Sequence, residues 1–364
     1  MTYRAGIIGA GGIAGLGILG MHDPEDIGKK KVRTSHAGGY HATDDIELVA
    51  VADLDEETLS TFGEAWDVPP AGRYTSHERM LEEEDLDVVS VCTPTLFHHD
   101  HVLDAAEIGD PDVIWCEKPI ATSVADGRDM CETCERAGVE LVVNHSFRFT
   151  DKLVTLKGLL EEEDLIGEPR SASVQFRMEL MRNSTHVIDS LVYLFDMEPR
   201  LVSGYISGEN EVSDALDVGV EITDAGGAGY VVGQDGFYAN IDCTLPRDVS
   251  SMTYNVIGDR GKLYLNNDDG EWRYWRLEDG THVETPLPGI EGAWTWEGDY
   301  TESFVNAAGH LVDLLDGDAA NRSPGEEAVT SLAVIVGLYV SHYTGGRVRF
   351  PLETPLEDVT VTSW

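Results

Sequence analysis

The chain has 364 residues, 42% hydrophobic and 25% charged, the balance of a globular protein with enough length for two cores. Its 67 acidic residues against 25 lysines and arginines give a formal charge of −42 at pH 7, so it lacks the cationic surface that nucleic acids and anionic membranes require. Five cysteines without framework spacing exclude a disulfide scaffold, and no apolar run reaches membrane-spanning length.

The first element is the stretch "YRAGIIGAGGIA", a short apolar strand running into Gly9, Ala10, Gly11, Gly12, Ile13 and Ala14. This fits GxGxxA, in which glycines permit a tight turn and close approach of backbone to a pyrophosphate at a helix N-terminus. Its glycine density also argues against reading the apolar opening as a signal peptide. A second apolar strand, "IELVAVADLDEET", ends in Asp53, the acidic residue expected on a ribose hydroxyl, with Leu54 after it. That acidic residue ordinarily follows the glycines by about 20 residues, and here the gap is roughly twice as long. The excess, "GMHDPEDIGKKKVRTSHAGGYHA", predicts an insertion in the first crossover. It carries Lys29, Lys30, Lys31 and Arg33. A solvated basic loop is the favoured reading, and attraction of an anionic group at the pocket mouth is the sharper one. The residues after Asp53 are acidic, so a 2′-phosphate would be repelled and NAD is favoured over NADP.

"DLDVVSVCTPT", "DVIWCEKP" and "VELVVNHSF" supply further apolar strands with helical stretches between them, which predicts a parallel, doubly wound sheet. In "LFHHDHVLDAAE", His98, His99 and His101 are near neighbours that diverge on a helix, so metal binding is not expected. The same holds for the CxxC of Cys131 and Cys134, which reads as part of an exposed helix.

Beyond residue 148 the texture changes to short alternating strands separated by Gly, Asp and Asn turns, such as Val218, Val220 and Ile222 against polar neighbours. This predicts a mostly antiparallel sheet with one covered face, in a second α/β domain over residues 149–364 after a dinucleotide-binding domain over residues 1–148. One segment, "MRNSTHVIDSLVYLFDMEP", has helical period: Val187, Ile188, Leu191, Val192, Leu194 and Phe195 share a face, with His186, Asp189, Ser190 and Tyr193 opposite. Asn183 is a suitable N-cap, which would put His186 in the first turn, where the helix dipole favours a neutral imidazole. Two readings stand side by side, a capped surface helix facing water and a helix delivering a general base. Trp294 and Trp296 read as aromatic cover for the sheet, and the two C-terminal helical stretches as structural.

Together these elements resemble the glucose–fructose oxidoreductase and inositol dehydrogenase family (Gfo/Idh/MocA) over nearly the whole chain. The resemblance rests on "GIIGAGGIA", "VAVADLD", "VSVCTPTLFHHDHVLDAAE", "CEKPIA", "VVNHSFRF", "THVIDSLVYLF" and "GLYVSHYTGGRVRFPL". It implies a Rossmann domain followed by an α/β domain whose open sheet mediates homodimers or homotetramers. By it, Lys118 is a catalytic residue between nicotinamide and substrate, with Glu117 before it on the cofactor side. His186 takes the place of the family's histidine. The family's aspartate position falls on Arg182, beside Asn183; this departure leaves Asn183 where a carboxylate would assist. Thr93, Pro94 and His98 match a turn near the cofactor, and Asn144 and Arg148 match positions lining the nicotinamide side and the substrate.

The resulting expectation is a cytoplasmic, NAD-dependent dehydrogenase of a secondary hydroxyl on a carbohydrate or sugar acid. It would hold no metal and, given its acidic excess, work in concentrated salt. Members with a cofactor recycled within one turnover, or acting as NAD sensors, are the alternatives.

Overall fold

The computed structural model describes residues 2–18, 22–23, 25–29, 31–208, 221–249 and 251–363. Lys30, Val218 and Val220 lie outside them. The described residues form two compact units. The first comprises Met1–Ala121, Asp126–Thr150 and Tyr300–Glu326. The second comprises Thr122–Ala125, Asp151–Asp299 and Glu327–Trp364.

The first unit is built on six parallel strands: β1 (Tyr3–Ile8), β2 (Ile46–Ala52), β3 (Arg73–Tyr74), β4 (Val88–Val91), β5 (Val113–Glu117) and β6 (Glu140–Asn144). Their order is β3-β2-β1-β4-β5-β6, so the direction of winding reverses between β1 and β4. Strands β4 and β5 are buried at every residue, as a sheet covered on both faces requires. The helices of this unit are α1 (His36–Ala42), α2 (Glu56–Ala65), α3 (His77–Glu83), α4 (His98–Asp104), and most of α5 (Val124–Ala137). The predicted insertion is present. Among its described residues, the β1-to-β2 crossover holds a helical turn, Gly12–Leu16, and α1.

A C-terminal helix, α8 (Thr301–Leu315), belongs to this first unit although it lies far beyond residue 148. Phe304, Ala307, Ala308 and Leu311 are buried in one cluster with Tyr40, Trp115 and Phe149. Burying a side chain such as Phe304 contributes about 2 kcal/mol. Gly39 lets α1 approach α8 closely, since a Cβ there would lie 2.5 Å from the Phe304 carbonyl oxygen.

The second unit carries a nine-stranded sheet of β7 (Pro169–Arg177), β8 (Pro199–Ile206), β10 (Gly227–Gly233), β11 (Tyr238–Leu245), β12 (Thr253–Gly258), β13 (Gly261–Asn266), β14 (Trp272–Glu278), β15 (Thr281–Thr285) and β16 (Val348–Arg349). It is antiparallel except where β7 runs parallel to β11. A small parallel pair, β9 (Glu221–Thr223) and β17 (Thr360–Thr362), stands apart. Alternation sorts side chains as period 2 requires. Ala239, Ile241, Cys243, Tyr254, Val256, Leu263 and Leu265 face inward. Tyr238, Asn240, Asn255 and Ile257 face outward.

Helices α7 (Thr185–Phe195) and α9 (Gly325–Thr344) cover the inner face. Tyr254 Oη donates to Ser190 Oγ on α7, and the Gly204 N–H donates to Ser341 Oγ on α9. The remaining helix, α6 (Asp151–Glu161), packs beside α7. No helix of the described residues is long and apolar enough to cross a membrane.

Candidate active site

Five strands of the first unit end where sequence reasoning places functional residues. The glycine loop follows β1, Asp53 and Leu54 follow β2, Thr93 and Pro94 follow β4, Glu117 closes β5 and Asn144 closes β6. That is the carboxyl edge, where open parallel sheets bind ligands. Gly9 has φ +90° and touches the β4 loop, so a Cβ there would come within 2.9 Å of Thr93 Cγ2. A Cβ on Gly11 would meet nothing within 4 Å. The loop thus has room on its outer side for a ligand to approach the backbone. Ile13 is half-buried and Ala14 fully buried, turned into the core.

Asp53 is tied down by the loop it serves. Its Oδ2 accepts from the Ala10 N–H at 2.7 Å and its Oδ1 from the Asp55 N–H at 2.9 Å. Each carboxylate oxygen retains further acceptor capacity for a ribose hydroxyl. Leu54 beside it is 89% exposed, an apolar side chain held in solvent at the rim of this edge. Asp55, Glu56 and Glu57 open α2, with Asp55 as N-cap accepting from Thr58. The glycine loop and the Asp53 carboxylate together fit a dinucleotide.

Lys118 is half-buried and directly follows the fully buried strand β5. Its peptide bond to Pro119 is cis. His98, buried at the start of α4, spans the two neighbouring loops, with Nδ1 at 2.9 Å from the Pro119 carbonyl and Nε2 at 2.9 Å from the Thr93 carbonyl. Burial lowers the His98 pKa, although both carbonyls favour the charged ring. His98 therefore acts as a clamp between the turn after Lys118 and the turn after β4.

Sequence reasoning missed the partners of Glu117. The carboxylate lies 3.0 Å from His36 Nε2 and accepts from Asn144 Nδ2. His36 Nδ1 lies 2.8 Å from Ser90 Oγ, which also bonds Tyr40 Oη. Burial alone would raise the Glu117 pKa. The hydrogen bond and charge of His36, the Lys118 charge and the Asn144 amide outweigh it and hold the carboxyl below its ordinary value. The available signals were a lone serine in the apolar run "VVSVC" and a histidine after a helix-capping serine in "TSHAGG".

In the second unit the α7 segment settles one open reading. His186 is 8% exposed and Asp189 and Ser190 1% each, so the polar side of α7 does not face water. The expected cap is different. Asn183 does not cap α7; its Nδ2 donates back to the Met178 carbonyl at 2.7 Å. A helical turn, Leu180–Ser184, leads into α7, and the Asp224 carboxylate accepts from its Met181 and Arg182 N–H groups at 3.0 and 2.9 Å. Tyr339 Oη donates to the same carboxylate at 2.9 Å. Asp224 comes from the chain after β9, about forty residues away, a distance at which no local motif could announce it. Asp189 accepts from Ser331 Oγ on α9.

Arg148 is buried, and its Nη1 donates to the Arg322 carbonyl within the first unit. In the basic insertion, Lys31 pairs with Asp67 at 2.8 Å and Arg33 makes a bidentate pair with Glu302. These pairs agree with a solvated basic loop whose charges are answered by carboxylates elsewhere in the first unit. Burial pushes the Cys131 and Cys134 thiols up to about 12, leaving neither as a thiolate at neutral pH.

Residues 3–145 match the family model GFO_IDH_MocA, described as an oxidoreductase family with an NAD-binding Rossmann fold. The chain is 28% identical over 355 residues to a D-apiose dehydrogenase of Paraburkholderia graminis, covering 90% of each. It is 24% identical to a D-xylose 1-dehydrogenase (NADP(+)) 2 of Haloferax volcanii, covering 92% of this chain and 98% of that one. An NAD binding oxidoreductase from Klebsiella pneumoniae has the same fold at a TM-score of 0.75 and 17% identity, over 97% of this chain and 100% of the other. Residues 3–145 thus match the NAD-binding Rossmann domain of this oxidoreductase family, and the relatives that span nearly the whole chain are sugar dehydrogenases.

Proposed function

We propose that this chain is an oxidoreductase of the Gfo/Idh/MocA type, an NAD-dependent dehydrogenase that oxidises a secondary hydroxyl of a sugar, polyol or sugar acid. The observation that carries the reading is the set of strand ends in the first unit. Glycine loop, ribose-binding carboxylate and Lys118 all follow strands of one parallel sheet at their carboxyl ends. The sugar dehydrogenases among the relatives support a carbohydrate substrate.

Residues 9–14, Asp53 and Leu54 would hold the adenosine and pyrophosphate portion, with Thr93, Pro94, His98, Glu117 and Asn144 shaping the remainder of the edge. When bound, the nicotinamide supplies the hydride acceptor. Lys118 presents an ammonium to the substrate oxygen and favours its alkoxide character, and His186 takes the hydroxyl proton. Asn183, whose amide is committed to the Met178 carbonyl, would orient the chain before His186 rather than carry a proton. Arg148 would contribute to substrate binding on the nicotinamide side.

The acidic start of α2 next to Asp53 supports NAD, because a 2′-phosphate there would meet like charge. The outer sheet face, with Tyr205 60% and Tyr238 41% exposed, supports assembly of copies into a homodimer or homotetramer. The charge of −42 supports function inside a cell at high salt.

The test is a screen of NADH formation across aldoses, inositols and sugar acids in molar salt, with Lys118→Ala and His186→Ala as controls. Turnover should fall at least 100-fold in each variant. Turnover within a few-fold of the parent would remove the proton assignments. Fluorescence titration that gave tighter binding of NADP than NAD would overturn the cofactor choice.

A further inference from the structure

Behind the end of β5 lies a buried polar chain whose members Tyr40, Ser90 and His36 have no part in the steps above. Tyr40, Ser90, His36 and Glu117 follow one another in hydrogen-bonding contact, with Asn144 completing the carboxylate's shell. The anionic carboxylate only accepts, so His36 Nε2 donates to it. His36 Nδ1 is in hydrogen-bonding contact with Ser90 Oγ, which bonds Tyr40 Oη. The His36 ring is fully buried and lies 3.7 Å, centroid to centroid, from Trp115 of the same strand β5. So His36 grips β5 twice, by stacking and through the carboxylate.

Lys118 is the first residue beyond β5 and is bonded directly to Glu117, the last residue of the strand. A Glu117 side chain anchored inward therefore fixes the direction in which Lys118 leaves the strand. We propose that His36 is a positioning residue for Lys118, acting through the inward-held carboxylate of Glu117. The inference deepens the proposed function and rests on its assignment of Lys118. His36 opens α1 within the inserted stretch, so the lengthened crossover delivers the group that braces the catalytic strand.

Removing His36 would also change what titrates. Glu117 is now held below its ordinary pKa, so its anion persists through neutral and mildly acid solution. Without His36, burial would dominate and the carboxyl would take up a proton at higher pH. The other titratable groups around the pair are Tyr40, Cys92, Cys116, His98 and Lys118. Burial pushes the tyrosine and both thiols up and the imidazole of His98 down. None of these four would produce an acid limb above the usual imidazole range.

The experiment compares pH profiles of kcat and kcat/KM for the parent, His36→Ala, His36→Gln, and the double variant His36→Ala with Glu117→Gln. In His36→Ala, kcat should fall about 10- to 100-fold with the KM for cofactor changed little. The acid limb should move up by at least about one pH unit. The double variant should lose that upward shift, since the carboxyl that takes up the proton is gone. His36→Gln keeps a donor and should recover part of kcat, and it carries the test if His36→Ala does not fold. Profiles of both single variants that superimpose on the parent's, with only the melting temperature lowered, would overturn the inference alone, provided Lys118→Ala is inactive. A Lys118→Ala enzyme with parental turnover would overturn the Lys118 assignment and this inference with it.

Discussion

Asp224 offers the most direct way to ask whether the turn before α7 is held for a purpose. Its carboxylate accepts two backbone N–H groups and one tyrosine hydroxyl at 2.9–3.0 Å. Asp224→Ala removes all three. A charged hydrogen bond of this kind is worth about 1.5–3 kcal/mol, and a lost helix cap about 0.5–2 kcal/mol. Against this stands the cost of burying the carboxylate, which raises its pKa despite those donors. The net loss should be about 1–3 kcal/mol, or about 2–4 °C in melting temperature per kcal/mol for a unit of this size. Because the folded pKa is raised, the native state holds the proton longer than the unfolded chain. The parent's advantage therefore narrows as pH rises from about 4 through the raised value. His186 lies only four residues beyond Arg182, so kcat should fall about 10-fold while NAD affinity stays parental. Calorimetry and steady-state kinetics across pH check this. Loss of stability with unchanged kcat would refute the claim that this turn positions His186. No change in either would refute the cap itself.

Two glycines in one loop should respond oppositely to substitution. Gly11→Val adds a side chain in open space and should leave the melting temperature unchanged while weakening NAD binding more than 10-fold by fluorescence titration. Gly9→Ala forces a Cβ into Thr93 at positive φ and should cost about 1–3 kcal/mol by denaturant unfolding. Melting temperature should rise steadily between 0.1 and 2 M KCl, as the Debye length falls from about 10 Å to below 3 Å and self-repulsion is screened; a flat response would refute a salt requirement. Thiol reagents at pH 8 should label Cys131 and Cys134 slowly in the native protein and rapidly after unfolding, since burial holds both near 12.

The sequence alone determined the parallel sheet, its glycine loop and the strand ends that carry Asp53, Thr93, Glu117 and Asn144. Those features are local. An apolar run, the turn that ends it and the residue at that turn lie within a few positions of each other, and period 2 or 3.6 is visible in any short window. The long first crossover and the amphipathic α7 were legible for the same reason. Tertiary structure alone decided that His36 would meet Glu117, 81 positions further along the chain, and that Asp224 rather than Asn183 would cap the turn before His186. It also decided that α8 would join the first unit. Partners of buried charges are selected by desolvation, which penalises any unpaired carboxylate wherever the chain happens to pass. A one-dimensional pattern shows that Glu117 or Asp224 is acidic, but only packing shows which N–H or imidazole answers it.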